Sequence, residues 1–277
     1  MSVPAERPWS KRAHAPIRAM SDVEDLGHTA RVHLKLASDD RMPLDALLVR
    51  GLVEDTLIVS LHGYTDRKKY IPPRFERLAS LSTLERHGLY LADPTIRLSP
   101  KLSLGWYVGD ETYDPTPDLA DLINSIARHL EVERVLLTGS SGGGFASMAL
   151  APRVENATAL VFSPQTRIRR YRPYLVKRFH ATAFPSYSSW QEIEEQHRAR
   201  VDLCWAYAHG PGADVVYVQN TGDEFHMSEH CEPFLEVAGD RVRVHYEHHV
   251  DGHGPPRVAR VLEWVESVVK GTPVPPP

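Results

Sequence analysis

Cysteine is scarce in this chain. Only two occur in 277 residues, Cys204 and Cys231, too few for a disulfide framework and without the spacing of metal ligands. They suit a reducing compartment, where thiols pack as small apolar residues, so a cytoplasmic location is expected and a bridge between them is the minor reading. Long apolar runs are missing as well. Nothing approaches the roughly eighteen residues that span a bilayer, and residues 1–28 mix Pro, Arg, Lys and His without the apolar segment of an export signal. A strong charge of either sign is also lacking: the formal net charge is -4 and the sequence pI about 6.4. Neither nucleic acid nor a membrane surface is therefore expected as a partner. Nothing in the sequence calls for a metal or a cofactor, and it leaves oligomeric state open.

What remains is an ordinary globular composition, long enough for one sizeable core. Residues 1–28 read as a flexible arm, 29–270 as one domain, and the proline-rich 271–277 as a disordered tail. Val32-His33-Leu34-Lys35-Leu36 alternates as a half-buried strand does, and 44–49 offers a second, together an antiparallel hairpin at a sheet edge. Thr56-Leu57-Ile58-Val59-Ser60-Leu61 is almost continuously apolar, as a strand covered on both faces should be. Thereafter helix and strand alternate: helix 74–86, strand 89–92, helix 119–130, strand 135–137, a small-residue helix to 151, and strand 159–162. That order implies an α/β fold with a mostly parallel central sheet and helices on both faces. Residues 163–207 interrupt the rhythm after the sixth strand and read as a lid or cap insertion containing a helix over 190–200. Strand 214–218, a helix near 229–237, strand 242–246 and a final amphipathic helix 256–269 complete the pattern.

Gly139-Ser140-Ser141-Gly142-Gly143 satisfies G-x-S-x-G directly between a strand and a helix, the setting of a nucleophile elbow. Only Ser141 has glycine both two residues before and two after, which selects it over Ser140. A glycine-rich turn that binds phosphate or merely packs is the plainer alternative. A serine hydroxyl needs a base, and the base an orienting acid. After strand 214–218 comes Thr221-Gly222-Asp223-Glu224, and after the next strand His248-His249-Val250-Asp251-Gly252-His253-Gly254. Asp223 and His253 follow the serine in the order this elbow requires. Their rivals are Glu224 as acid and His248 and His249 as base, while Asp251 reads as a turn or cap residue. An oxyanion would be met by the amides of Gly142 and of the His62-Gly63-Tyr64 turn, with Gly63 and Tyr64 both open as the second donor.

These motifs resemble the α/β-hydrolase superfamily over about residues 32–269, with the match carried by Leu61-His62-Gly63, the Ser141 elbow, Asp223 and Asp251-Gly252-His253-Gly254. Asp66-Arg67-Lys68-Lys69-Tyr70, followed by Pro73-Arg74-Phe75-Glu76-Arg77-Leu78, then Asp93-Pro94-Thr95 and Gly105-Trp106-Tyr107, are further similar to hydrolase-like proteins found beside bacterial surface-polysaccharide genes and to the acetyltransferase-like component of accessory secretion systems. The resemblance implies hydrolysis or transfer of an acyl group on a small metabolite or a glycan.

Arg67, Lys68 and Lys69 lie just past the proposed oxyanion turn, and Arg169 sits in the arginine-rich insertion, so all four are candidates for holding an anionic substrate group. A solvated charged face is the plainer reading. Trp106 and Tyr107 are candidates for lining an acyl or sugar pocket, or for core filling. The leading expectation is a serine esterase, with an acyltransferase or peptidase using the same machinery. A binding or scaffold protein with an idle site is the alternative from another class.

Overall fold

The computed structural model describes residues 3–4, 13–17, 31–38, 41–249, 252–254 and 256–274. Nine strands form its main sheet: β1 (Ala13–Ile17), β2 (Arg31–Ser38), β3 (Arg41–Val49), β4 (Val53–Leu61), β5 (Arg86–Leu91), β6 (Arg134–Ser140), β7 (Ala157–Phe162), β8 (Asp214–Asn220) and β9 (Val242–Glu247). Their order across the sheet is β9-β8-β7-β6-β4-β5-β3-β2-β1. Only β3 runs antiparallel to its neighbours; every other pairing is parallel.

The central strand β4 shows why the apolar run is continuous. Leu57, Val59 and Leu61 enter one core with Phe145 and Ile123, whereas Ile58 enters a second core with Val261 and Trp264 on the opposite face. A strand alternates its side chains between faces, so covering both leaves it no polar side. Helices α2 (Thr116–His129) and α3 (Gly142–Leu150) supply the first layer, and α1 (Leu78–Leu81) and α7 (Val258–Lys270) the second.

Several expectations change. The helix anticipated over 74–86 is the single turn α1 followed by a 3-10 turn at Ser82–Leu84. Left-handed backbone at Arg77 (φ 57°) and Glu85 (φ 53°) bounds it, and β5 already begins at Arg86, which leaves no length for more. Part of the expected arm is structured: β1 pairs in parallel with β2, outside the anticipated hairpin, and Val3–Pro4 pairs with Tyr70–Ile71. The start of the expected tail also folds back. Gly271 closes α7 in the left-handed conformation that glycine tolerates, Thr272 N donates to Ser267 O at 3.0 Å, and Val274 packs on the second core. Residues 275–277, and Asp251 with its expected turn role, lie outside the described residues.

The insertion after β7 holds three helices, α4 (Pro173–Ala183), α5 (Trp190–Val201) and α6 (Leu203–His209). They join the first core through an aromatic cluster in which Phe179 meets Trp106 edge-on at 5.2 Å. Both cysteines are free. Among the described residues no helix is long and apolar enough to cross a membrane.

Candidate active site

β6, β8 and β9 run parallel, so their carboxyl ends share one rim of the sheet, where loops of this architecture gather ligands. Ser141 follows β6 and stands at the start of α3 with φ 57° and ψ -120°, a strained backbone for a residue with a side chain. The glycines around it permit that bend. A Cβ on Gly139 would stand 2.4 Å from the Gly143 carbonyl carbon, and one on Gly143 would stand 2.3 Å from Leu61 O, so helix and strands could not approach as they do.

Asp223 follows β8 and accepts the His226 N–H at 3.2 Å with Oδ1, while its Oδ2 accepts from His253 Nδ1 at 2.7 Å. His253 Nε2 lies 3.1 Å from Ser141 Oγ. Three side chains distant in the chain therefore meet within hydrogen-bond reach, as their order in the sequence anticipates. The rivals are engaged elsewhere: His248 with Thr221 Oγ1 at 2.9 Å and His249 with Glu247 at 3.2 Å, and Glu224 is exposed. Burial alone would raise the Asp223 carboxyl, but hydrogen bonds from His226 and His253 outweigh it and hold the group well below the usual carboxylate range.

Asn220, at the end of β8, holds the His253 loop. Its Nδ2 donates to Gly252 O at 2.7 Å, and its Oδ1 accepts from Gly222 N at 2.9 Å and His249 N at 2.8 Å. On the opposite side, His62 is fully buried and neutral, its pKa pulled down to about 3 by burial and by Arg74. Its Nε2 accepts from Asp93 N at 3.0 Å, which places the ring hydrogen on Nδ1, 2.9 Å from Gly63 O. With the Gly63 carbonyl tied to that ring, the planar trans peptide turns the Tyr64 N–H the other way. Among the described residues no acceptor takes that N–H. Gly63 lies close by: a Cβ there would be 3.3 Å from the Gly142 nitrogen.

A cavity of about 380 Å³ opens over Ser141 and His253, with Gly63, Tyr64, Tyr171 and Arg172 among its walls. The insertion thus covers part of the site through its first residues. None of the four cationic candidates lines it. Arg67 is used structurally, its guanidinium donating to Ile96 O at 2.8 Å and Leu102 O at 2.9 Å. Lys68 and Lys69 are exposed and form no part of the wall, and Arg169 is exposed and paired with Glu194 at 2.9 Å. Trp106 and Tyr107 are core supports instead of cavity lining. Trp106 Nε1 donates to Gln165 Oε1 at 3.1 Å, and the Tyr107 hydroxyl donates to Leu91 O at 2.8 Å while accepting from His62 N at 3.0 Å. The cations on the wall are Arg74, Arg77 and Arg172. Arg74 is neutralised by Glu76 at 2.5 Å. No carboxylate pairs with Arg77 among the described residues, and burial lowers its pKa, with Glu76 opposing and Arg74 adding to that effect.

Two further residues went unnoticed in the sequence. Gln165 is fully buried, and its Nε2 donates to Ser141 Oγ at 2.7 Å and contacts His226 Nε2 at 2.9 Å. His226 is also fully buried and stacks on His253 with centroids 3.8 Å apart and planes within 5°. Asp223, His226 and His253 bring donor atoms within 4.8 Å of one another, the spacing of a metal site. The contact with Gln165, however, puts the His226 hydrogen on Nδ1, which then has no lone pair for a cation, so this cluster does not suit a metal.

No protein-family model and no curated protein matches the chain. Solved structures do. The capsule O-acetyltransferase of Neisseria meningitidis serogroup A is similar with a TM-score of 0.62 and 15% identity, covering 85% of this chain and 93% of that one. An acetyl xylan esterase from Paenibacillus sp. R4 is similar at 0.58 and 16%, covering 91% and 92%. The acylaminoacyl peptidase of Pyrococcus horikoshii is similar at 0.62 and 14%, covering 92% of this chain but 43% of its own. With its mostly parallel sheet, its elbow and these neighbours, the chain has the α/β-hydrolase fold.

Proposed function

We propose that this protein is a serine hydrolase that cleaves an ester through an acyl-serine intermediate. The observation that carries the reading is the continuous contact from Ser141 Oγ to His253 Nε2 (3.1 Å) and from His253 Nδ1 to Asp223 Oδ2 (2.7 Å). His253 takes the hydroxyl proton as Ser141 Oγ bonds to the acyl carbon, then delivers it to the departing alkoxide. Water, deprotonated by the same imidazole, releases the acid and restores the serine. The amides of Gly142 and Tyr64 receive the oxyanion, supported by the amino end of α3. Asp223 stays ionised and fixes the imidazole's tautomer.

The substrate is a small metabolite or glycan ester bearing an anionic group, held by the unpaired Arg77 and by Arg172 on the cavity wall. An acyltransferase is the second reading. It is favoured by the similar capsule O-acetyltransferase and by a half-covered cavity with room for an acceptor other than water. The two free cysteines support a reducing, cytoplasmic setting.

The test compares p-nitrophenyl acetate with the p-nitrophenyl monoester of succinate. We expect both to be hydrolysed, the succinate ester with the lower KM, and both to be untouched by Ser141→Ala. Arg77→Met should raise KM for the succinate ester alone. Equal hydrolysis by wild type and Ser141→Ala would refute the assignment.

A further inference from the structure

We propose that Gln165 and His226 are positioning residues that aim the Ser141 hydroxyl at His253 and keep a second imidazole neutral beside it. This rests on the serine-hydrolase reading. It begins with Trp106, whose indole can only donate. Its Nε1 is 3.1 Å from Gln165 Oε1, which fixes the amide so that the NH2 group faces the site. That group has two hydrogens and two partners: Ser141 Oγ at 2.7 Å and His226 Nε2 at 2.9 Å. A serine oxygen that accepts from Gln165 has its own hydrogen left for His253 Nε2, the arrangement that attack requires.

The same assignment makes His226 Nε2 an acceptor and places its hydrogen on Nδ1, 2.9 Å from the Asp223 Oδ2 that also serves His253. The angle there is poor for a hydrogen bond, so this contact is mainly electrostatic. A ring of contacts results: Ser141, His253, Asp223, His226, Gln165 and back to Ser141. Every hydrogen in it has one direction. Protonating His226 would set N–H against N–H at Gln165 and put a cation 3.8 Å from the imidazolium that forms at His253 during attack.

The groups facing His226 fit a neutral ring. Asp223 favours its charge, while burial, His253 and Arg172 oppose it and the net shift is downward. His230, 5.1 Å away between centroids, is itself neutral, lowered to about 2 by burial and adjoining charges, and Tyr171 and Phe225 supply aromatic faces. Both positions are buried without touching the cavity wall, so they act through Ser141 and His253.

The experiment measures the rate at which an alkyl fluorophosphonate labels Ser141 as a function of pH, with folding checked by circular dichroism. Gln165→Glu is isosteric but offers oxygen lone pairs where the amide donated. Its ionised carboxylate draws the Ser141 hydrogen away from His253 and stabilises a charged His226. We expect labelling at pH 8 to fall at least about tenfold, the worth of one misdirected buried hydrogen bond, and to recover as pH is lowered and the carboxyl regains a hydrogen. A Gln165→Glu profile parallel to wild type would overturn the proposal.

A second pair of variants keeps the test decisive if Gln165→Glu fails to fold. His226→Gln retains an acceptor for Gln165 and cannot titrate, so it should label within about fivefold of wild type, whereas His226→Leu should fall at least about tenfold below it. Equal rates for these two would contradict the assignment. A wild-type protein that does not label at all would refute the hydrolase reading, and this one with it.

Discussion

The two sides of the Ser141 cavity are built differently. The side that would receive an oxyanion is part of the core: His62, Asp93 and Tyr107 are at most 2% exposed and lock the Gly63 carbonyl through a chain of buried hydrogen bonds. The side that would carry the base is a loop whose His253 side chain is 22% exposed and whose backbone is pinned chiefly by Asn220. The difference follows from chemistry. Donors that stabilise a developing charge work best when they need not reorganise, whereas a base must exchange protons with leaving groups and water.

The largest expected effect is on the base side. His253→Ala should reduce ester hydrolysis by about 10⁴-fold or more, as loss of one member of such a unit does, while His248→Ala and His249→Ala leave it nearly unchanged. Comparable losses in the last two would erase the distinction between the loop's histidines. On the core side, His62→Phe frees the Gly63 carbonyl and should cost about 10²-fold in kcat, the scale of one misplaced oxyanion donor. A KM effect without a kcat effect would show that the turn binds substrate instead.

The core side should also be acid-sensitive in stability. His62 is held near 3 when folded and returns to about 6.5 when unfolded. Below pH 6.5 the unfolded chain therefore takes up a proton that the folded chain refuses, so stability drops as pH falls toward 3. Between pH 6.5 and 5 this one group contributes a loss of about 2 kcal/mol. Urea titrations at the two pH values should show that loss partly removed in His62→Gln; an unchanged slope would mean that another group dominates. Asn220→Ala is smaller in effect, with about tenfold slower hydrolysis from a loosened His253 loop. Smallest of all, Lys68→Ala and Lys69→Ala should leave KM for the succinate ester unaltered, since both side chains stand off the wall.

The residues that meet in the site and those that brace them were not equally legible beforehand. Ser141, Asp223 and His253 announced themselves, because the glycines at 139, 142 and 143 and the order of the three along the chain can be read without the fold. The parallel sheet was readable from continuous apolar runs such as 56–61 and from the alternation of strand with helix. The supports were not. Gln165 looks like the first residues of an irregular insertion, and only the fold brings Trp106 and His226 to it. His226 lies three residues after Asp223, a helical spacing that puts both on one side of a turn, yet fifteen histidines in the chain gave no reason to single it out. Charge proximity in sequence misled too: Arg67 follows the oxyanion turn but is consumed by backbone carbonyls, while Arg77, farther along the chain, reaches the cavity from a left-handed turn.

The proposed chemistry requires Ser141 to be a nucleophile activated by His253. Peptide mapping by mass spectrometry after reaction with a fluorophosphonate tests it most directly. The predicted outcome is one adduct, on the peptide containing Ser141 and at that residue, absent in folded His253→Ala protein. An adduct on Ser140, or modification that persists undiminished without His253, would contradict it.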